Sequence, residues 1–205
     1  RGDAEAQFIA GGMLHRGLGT DPDRRGAFRW LLAAAEQGRS SAESLYLIGS
    51  GYFRGSVVPQ NFLEARAWLD RAAGEGSVPA CTDLAYLLYN GLGGGQDYPR
   101  ALQLYEQAAR RGDVLAQANT GLMYATGTGT ATDRARAYAW YALAASRGNT
   151  FAAVSRNRLM TDMSWEELNR AQAVAVDLYR EIEELPPRPA AAGGQEPWTF
   201  IFISR

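Results

Sequence analysis

Apolar and polar positions along this chain recur in blocks. A representative stretch is AESLYLIGSGYFRG, Ala42 to Gly55, where large apolar residues return at helical spacing up to a closing glycine. The block then repeats. Gly17, Gly55, Gly91 and Gly127 stand 38, 36 and 36 residues apart, and Gly2, Gly38, Gly76, Gly112 and Gly148 stand 36, 38, 36 and 36 apart. Matched positions lie between the two glycine series. Alanine returns at Ala27, Ala65, Ala101 and Ala137, and Ala-Ala at Ala34-Ala35, Ala72-Ala73, Ala108-Ala109 and Ala144-Ala145. Trp30, Trp68 and Trp140 share one position, with Leu104 in the third block. A fixed period of this length signals an array of supersecondary units.

Each unit reads as two helices. The first ends at the Gly17 series. Six residues before that glycine stand Gly11, Gly49, Ala85 and Gly121. Glycine inside a helix is about 1 kcal/mol worse than alanine, so a neighbouring helix is expected to approach closely there. The second helix starts from Asp23, Asn61, Asp97 and Asp133, residue types that cap N-terminal amides. It ends at the Gly38 series, where glycine adopts the left-handed conformation without penalty. After Gly148, NTFAAVSRNRLM reads as a fifth first helix. SWEE then supplies a capping box, Ser164 with Glu167. The helix it opens runs to about Leu185, with Leu168, Ala171, Ala175, Leu178 and Ile182 on one face and charges on the other. An array needs such a cap because each unit buries its apolar face only against neighbours. Pro186 and Pro187 stop this helix.

AEAQFIAGGMLHRGLGTDPDRRGAFRWLLAAAEQG and LAQANTGLMYATGTGTATDRARAYAWYALAASRG resemble the Sel1-like repeat, a relative of the tetratricopeptide repeat. The family pattern runs A-x3-LG-x2-Y-x2-G-x-G, then D-x3-A, then W-x3-AA-x2-G. Leu14 and Leu88 stand at its tyrosine, Val57 at its second loop glycine and Leu104 at its tryptophan. The resemblance covers residues 2–150. It implies an all-α fold: a right-handed α-solenoid of helix-turn-helix repeats over residues 1–149, divided at about 2–38, 39–76, 77–112 and 113–148. Residues 150–185 then form the fifth first helix and the capping helix, 186–195 a Pro/Ala/Gly linker, and 196–205 an apolar tail.

Composition narrows the function classes. Of 205 residues, 46% are hydrophobic and 21% charged, enough for a core. A net charge of −1 gives no support for a phosphate-binding surface, so no nucleic acid partner is expected. All 21 basic residues are arginine. One cysteine, Cys81, allows no internal disulfide. No run approaches the ~20 apolar residues of a membrane-spanning helix. Arg1-Gly2-Asp3 echoes Arg111-Gly112-Asp113, so it reads as a repeat junction and not as an integrin-type signal; further repeats or a leader segment are expected upstream.

GLGGGQ, Gly91 to Gln96, looks like a phosphate cradle. It lacks the Lys-Ser/Thr of a P-loop and aligns with GLG at Gly17 and GTG at Gly127, so it reads as an inter-helix turn. His15 and Cys81 are each the only residue of their kind, too few for an ordinary zinc site. Cys81 follows Ala80 on a first helix and reads as a packed thiol. No carboxylate pair stands out as acid and base. The expectation is a protein without catalytic centre, metal or cofactor.

What remains is a surface. If the units pack as in tetratricopeptide arrays, first helices line a concave face. The stripe facing it lies nine, five, two and one before the loop glycine. It reads Phe8, Gly12, His15, Arg16, then Tyr46, Ser50, Phe53, Arg54, then Thr82, Tyr86, Tyr89, Asn90, then Ala118, Leu122, Ala125, Thr126. The first three sets combine aromatics with Arg or Asn, the composition of binding hot spots. Phe8, His15, Arg16, Tyr46, Phe53, Arg54, Tyr86, Tyr89 and Asn90 are therefore the candidate groove residues; the alternative is that the aromatics fill gaps between repeats.

The expected function is a non-catalytic adaptor or scaffold holding a peptide or protein segment. The resemblance implies bacterial envelope assembly, exopolysaccharide export, signalling regulation or effector roles, in a periplasmic, secreted or cytoplasmic setting. Two other readings stay open: a glycan or cell-wall-fragment module with weak hydrolytic activity, and a structural spacer in a larger protein. The tail, EPWTFIFISR, is too short to span a bilayer. Extended, it turns Trp198, Phe200 and Phe202 one way and Ile201 the other. It is expected to dock in a groove of its own chain or of a neighbour, or else to be a cut end.

Overall fold

The computed structural model describes residues 2–183; the linker and the apolar tail lie outside them. The described residues form ten α-helices and no strand: α1 Ala4–Arg16, α2 Arg24–Glu36, α3 Ala42–Arg54, α4 Phe62–Gly74, α5 Val78–Asn90, α6 Tyr98–Arg110, α7 Val114–Thr126, α8 Arg134–Ser146, α9 Thr150–Thr161 and α10 Trp165–Glu183. They fall into two compact units, one holding α1 to α5 and the other α6 to α10. In the first, α1 pairs with α2 and α3 with α4; α3 also rests on α2, and α5 on α4 and α3. In the second, α7 pairs with α8 and rests on α6, while α9 and α10 both pack on α8.

Local chemistry sets the helix ends. Second helices begin where Asp23, Asn61 and Asp133 accept main-chain N–H groups two or three residues on, as Asp23 Oδ1 does from Gly26 at 2.9 Å. First helices begin in the same manner on Asp3, Ser41, Ser77, Asp113 and Asn149, the first four of them fourteen residues before the loop glycine. The aspartate of Arg1-Gly2-Asp3 is thus a helix cap, as Asp113 is. The Ala-Ala signature has a main-chain role. Gly38, at φ 85°, lets Arg39 N–H reach back to Ala34 O at 2.9 Å. The equivalent bonds run from Ser77 to Ala72, Asp113 to Ala108 and Asn149 to Ala144, each closing a helix by a six-to-one hydrogen bond.

One more clasp recurs. The amide of the residue opening each second helix donates to a carbonyl in the last turn of the first: Asp23 to Leu14, Asn61 to Tyr52, Asp97 to Leu88 and Asp133 to Tyr124, at 2.9–3.0 Å. Close approach explains the mid-helix small residues. A Cβ on Gly49 would lie 2.8 Å from Leu69 Cγ, and one on Gly121 would lie 2.7 Å from Tyr141 Cδ1. Ala85, at the same sequence position, is fully buried. Large side chains such as Leu45, Ile48, Leu69, Leu84 and Leu88 are fully buried around these contacts. Each contributes about 1.5–3 kcal/mol of burial.

The end of the array departs from the repeat. Asn157 occupies the small-residue position of α9 and is exposed. α10 lies on α8. Arg134 at the start of α8 donates to Asp162 O at 2.6 Å and stands 3.9 Å from Glu167. Arg110, in the last turn of α6, pairs with Glu181. Ala171, Leu178 and Ile182 are buried beneath α10.

Candidate functional site

A groove opens on the first unit between α1 and α3. Its cavity of about 190 Å3 is lined by Phe8, Ile9, Gly12, Met13, His15 and Arg16 of α1, Leu31 of α2, and Glu43, Ser44 and Leu47 of α3, with Ser41 just before α3. Gly12 makes the opening. A Cβ there would meet only the Arg16 guanidinium, at 3.3 Å, whereas the same position carries Ser50, Tyr86 and Leu122 in later units. Phe8 forms one wall. The Arg39 guanidinium lies over its ring at 4.5 Å and pairs with Glu5, so a cation braces the aromatic face. Arg16 and Glu43 give an exposed rim of both charges.

The lining limits the chemistry. Small-molecule and cofactor sites usually have about 300–1,000 Å3, so this groove suits one or two side chains of a partner. Its two serines are committed. Ser41 Oγ accepts from Ser44 N–H, and Ser44 Oγ accepts from Ser41 N–H at 2.8 Å, which is the capping box of α3. Ser44 Oγ also donates to Ser41 O at 2.9 Å. Among the described residues no group of three or more His, Cys, Asp or Glu could hold a metal, and no helix is long and apolar enough to cross a membrane.

Of the nine groove candidates read from the sequence, Phe8, His15 and Arg16 line this cavity. The others sit on α3 and α5. Tyr46 is partly buried; Arg54 donates to its hydroxyl at 3.3 Å, and burial, reinforced by the Asp83 charge, pushes the phenol up to about 12. Phe53 is 5% exposed, with its ring 5.9 Å from Tyr86 and 6.2 Å from Phe62, so it fills space between helices. Asn90 donates to Tyr86 O at 2.8 Å, and Gln96 to Tyr89 O at 3.3 Å, which ties these residues to the end of α5. Cys81 is 1% exposed. GLGGGQ is the turn between α5 and α6, with Gly95 O accepting from Arg66 at 3.0 Å. Trp198, Phe200, Ile201 and Phe202 lie outside the described residues.

The stripe did not contain Ile9, Met13, Leu31 or Leu47. Ile9 and Leu47 share the position eight before the loop glycine, and that shared apolar register was the available signal.

Comparison with known proteins fits this architecture. The Sel1 repeat matches four times in tandem, over residues 4–38, 42–77, 78–113 and 114–149. Among solved structures, the chain is similar to a Sel1 repeat protein from Oxalobacter formigenes, with TM-score 0.67 and 30% identity over 88% of this chain and 73% of that one. It also shares the fold of c5321, a protective antigen present in uropathogenic Escherichia coli strains displaying an SLR fold. There the TM-score is 0.69 at 24% identity, over 94% of this chain and 43% of that one. No curated protein matches the chain. The helix pairs are those of an α-solenoid built from helical repeats, and with four tandem matches across most of its length the chain belongs to the Sel1 repeat family.

Proposed function

We propose that this chain is a non-catalytic adaptor that holds an apolar segment of a protein partner in the groove between α1 and α3. Sel1 repeats in general mediate protein interactions as scaffolds. The observation that carries the finer reading is the groove itself: an apolar floor opened by Gly12, a braced aromatic wall, and a rim of both charges. A bulky apolar side chain of an extended segment suits that floor, and flanking polar groups suit Arg16 and Glu43. The chain's own EPWTFIFISR is one segment of the required kind.

The test is a binding screen of the full chain against tiled peptides, including residues 196–205, and against cell-wall glycan fragments. Peptides with a large apolar residue are expected to bind. Gly12→Leu should remove that binding while leaving the helix intact, since leucine is the better helix former and already stands at Leu122 in the equivalent position. Binding of glycans alone, or peptide binding indifferent to Gly12→Leu, would overturn the reading.

A further inference from the structure

The fourth repeat carries a polar pair where the others are apolar. Ten and seven positions before the loop glycine stand Leu45 and Ile48 in the second repeat and Cys81 and Leu84 in the third, all buried. The fourth repeat has Gln117 and Thr120 there, on α7, and both are fully buried. Three residues apart on a helix, they share one face, with Cβ atoms about 5–6 Å apart. Gln117 reaches α6, where its Nε2 donates to Ala109 O at 3.0 Å. That bond uses only the donor end of the amide. Gln117 Oε1 and Thr120 Oγ1 are buried without a hydrogen-bond partner among the described residues. A helical threonine has a local remedy, and two others in this chain take it. Thr82 Oγ1 donates to Val78 O at 3.4 Å and Thr126 Oγ1 to Leu122 O at 2.9 Å, each four residues back. Thr120 Oγ1 makes no such bond.

We propose that Gln117 and Thr120 hold one ordered water between α6 and α7. Buried polar groups are almost always paired, with protein or with ordered water. An amide oxygen only accepts, whereas a hydroxyl both donates and accepts. Neither group is charged, so the matching occupant is neutral, small and able to donate. Water meets each condition. It donates to Gln117 Oε1 and accepts from Thr120 Oγ1, and buried waters typically bridge two to four such groups. The pairing is particular to this repeat. Leu45, Ile48 and Leu84 offer no polar side-chain atom, and Cys81 only a weak one. In the first repeat Gln7 has the same register as Gln117, but Ala10 supplies no hydroxyl, and Gln7 Oε1 already accepts from Gln37 Nε2 at 2.7 Å. The site is separate from the groove, whose residues lie on α1, α2 and α3.

A crystal structure of the full chain that resolves ordered water tests it, together with thermal melts of Thr120→Val, Gln117→Leu and the double variant. Circular dichroism checks the fold of each. In wild type, one density peak should lie about 2.6–3.2 Å from both Gln117 Oε1 and Thr120 Oγ1. The double variant should lack it. Thr120→Val alone keeps the shape of the side chain but removes one anchor of the water, and should lower the melting temperature by roughly 2–4 °C. In a Gln117→Leu chain the same change should cost clearly less, because the two residues act through one shared water. A wild-type map without a bridging peak would overturn the proposal. So would a Thr120→Val loss that is the same in both backgrounds.

Discussion

Leu31 lies directly over Gly11: a Cβ on that glycine would stand 2.7 Å from Leu31 Cγ and 3.1 Å from its main-chain N. Gly49 meets Leu69 in the same way, at 2.8 Å and 3.0 Å. Two effects oppose each other at this position. Alanine is the better helix former by about 1 kcal/mol, but its methyl group would overpack a filled contact. Overpacking typically costs about 1–3 kcal/mol. The side chain is hemmed in by main chain, so the steric effect should win. Gly49→Ala is expected to lower the urea midpoint, and a rise would show that helix propensity decides.

Gly93 and Gly19 form a second comparison. Both have positive φ, 72° and 80°, so alanine at either carries a backbone penalty of about 1–2 kcal/mol. Only at Gly93 does a Cβ also meet main chain, that of Phe62 and, at 2.8 Å, Leu63 N. Gly93→Ala should therefore lower thermal stability clearly more than Gly19→Ala. Equal losses would mean that the loop, not the junction, sets the requirement.

Phe8 and Phe53 occupy the same kind of sequence stripe but different surroundings. Phe53→Ala should destabilise by about 3–5 kcal/mol, as expected for a buried ring. Phe8 is half-buried, and Phe8→Ala should cost at most about 1 kcal/mol while reducing peptide binding to the groove. Denaturant titrations together with binding assays separate the two roles.

Tyr46 supplies a pH test. Its phenol titrates at about 12 in the fold and near 10 when unfolded. A raised acid favours the neutral, folded form, so its contribution is fully present below about pH 10 and is lost as pH rises towards 12. Across that window the denaturant midpoint should fall more steeply in wild type than in Tyr46→Phe. Phenolate absorbance should also lose one late-titrating group in the variant. Tyr141, likewise pushed up to about 12 by burial, should remain.

Much of this was legible in the sequence, because helix ends and close approaches depend on single residues at fixed spacing. Asp23, Gly38, Gly49 and Ala34 each act through their own main chain or through one neighbour, so their register carries the fold. The groove was only partly legible. Phe53 and Phe8 belong to the same helix stripe, two and nine positions before the loop glycine, and only the fold shows that Phe62 and Tyr86 close over Phe53 while Gly12 leaves Phe8 accessible. The seat of α10 on α8 was not legible, because it depends on surfaces assembled from residues distant in the chain.

The amide-to-carbonyl clasps from Asp23, Asn61, Asp97 and Asp133 each reach back nine residues and stay inside one unit. Seams of one chemistry, an alanine carbonyl answered across a glycine, separate these units. Recombination between two such seams would join like to like and add or remove a whole helix pair without opening a clasp. The length of the array is thereby free to drift in whole units over evolutionary time, while the rules that fold each unit stay the same.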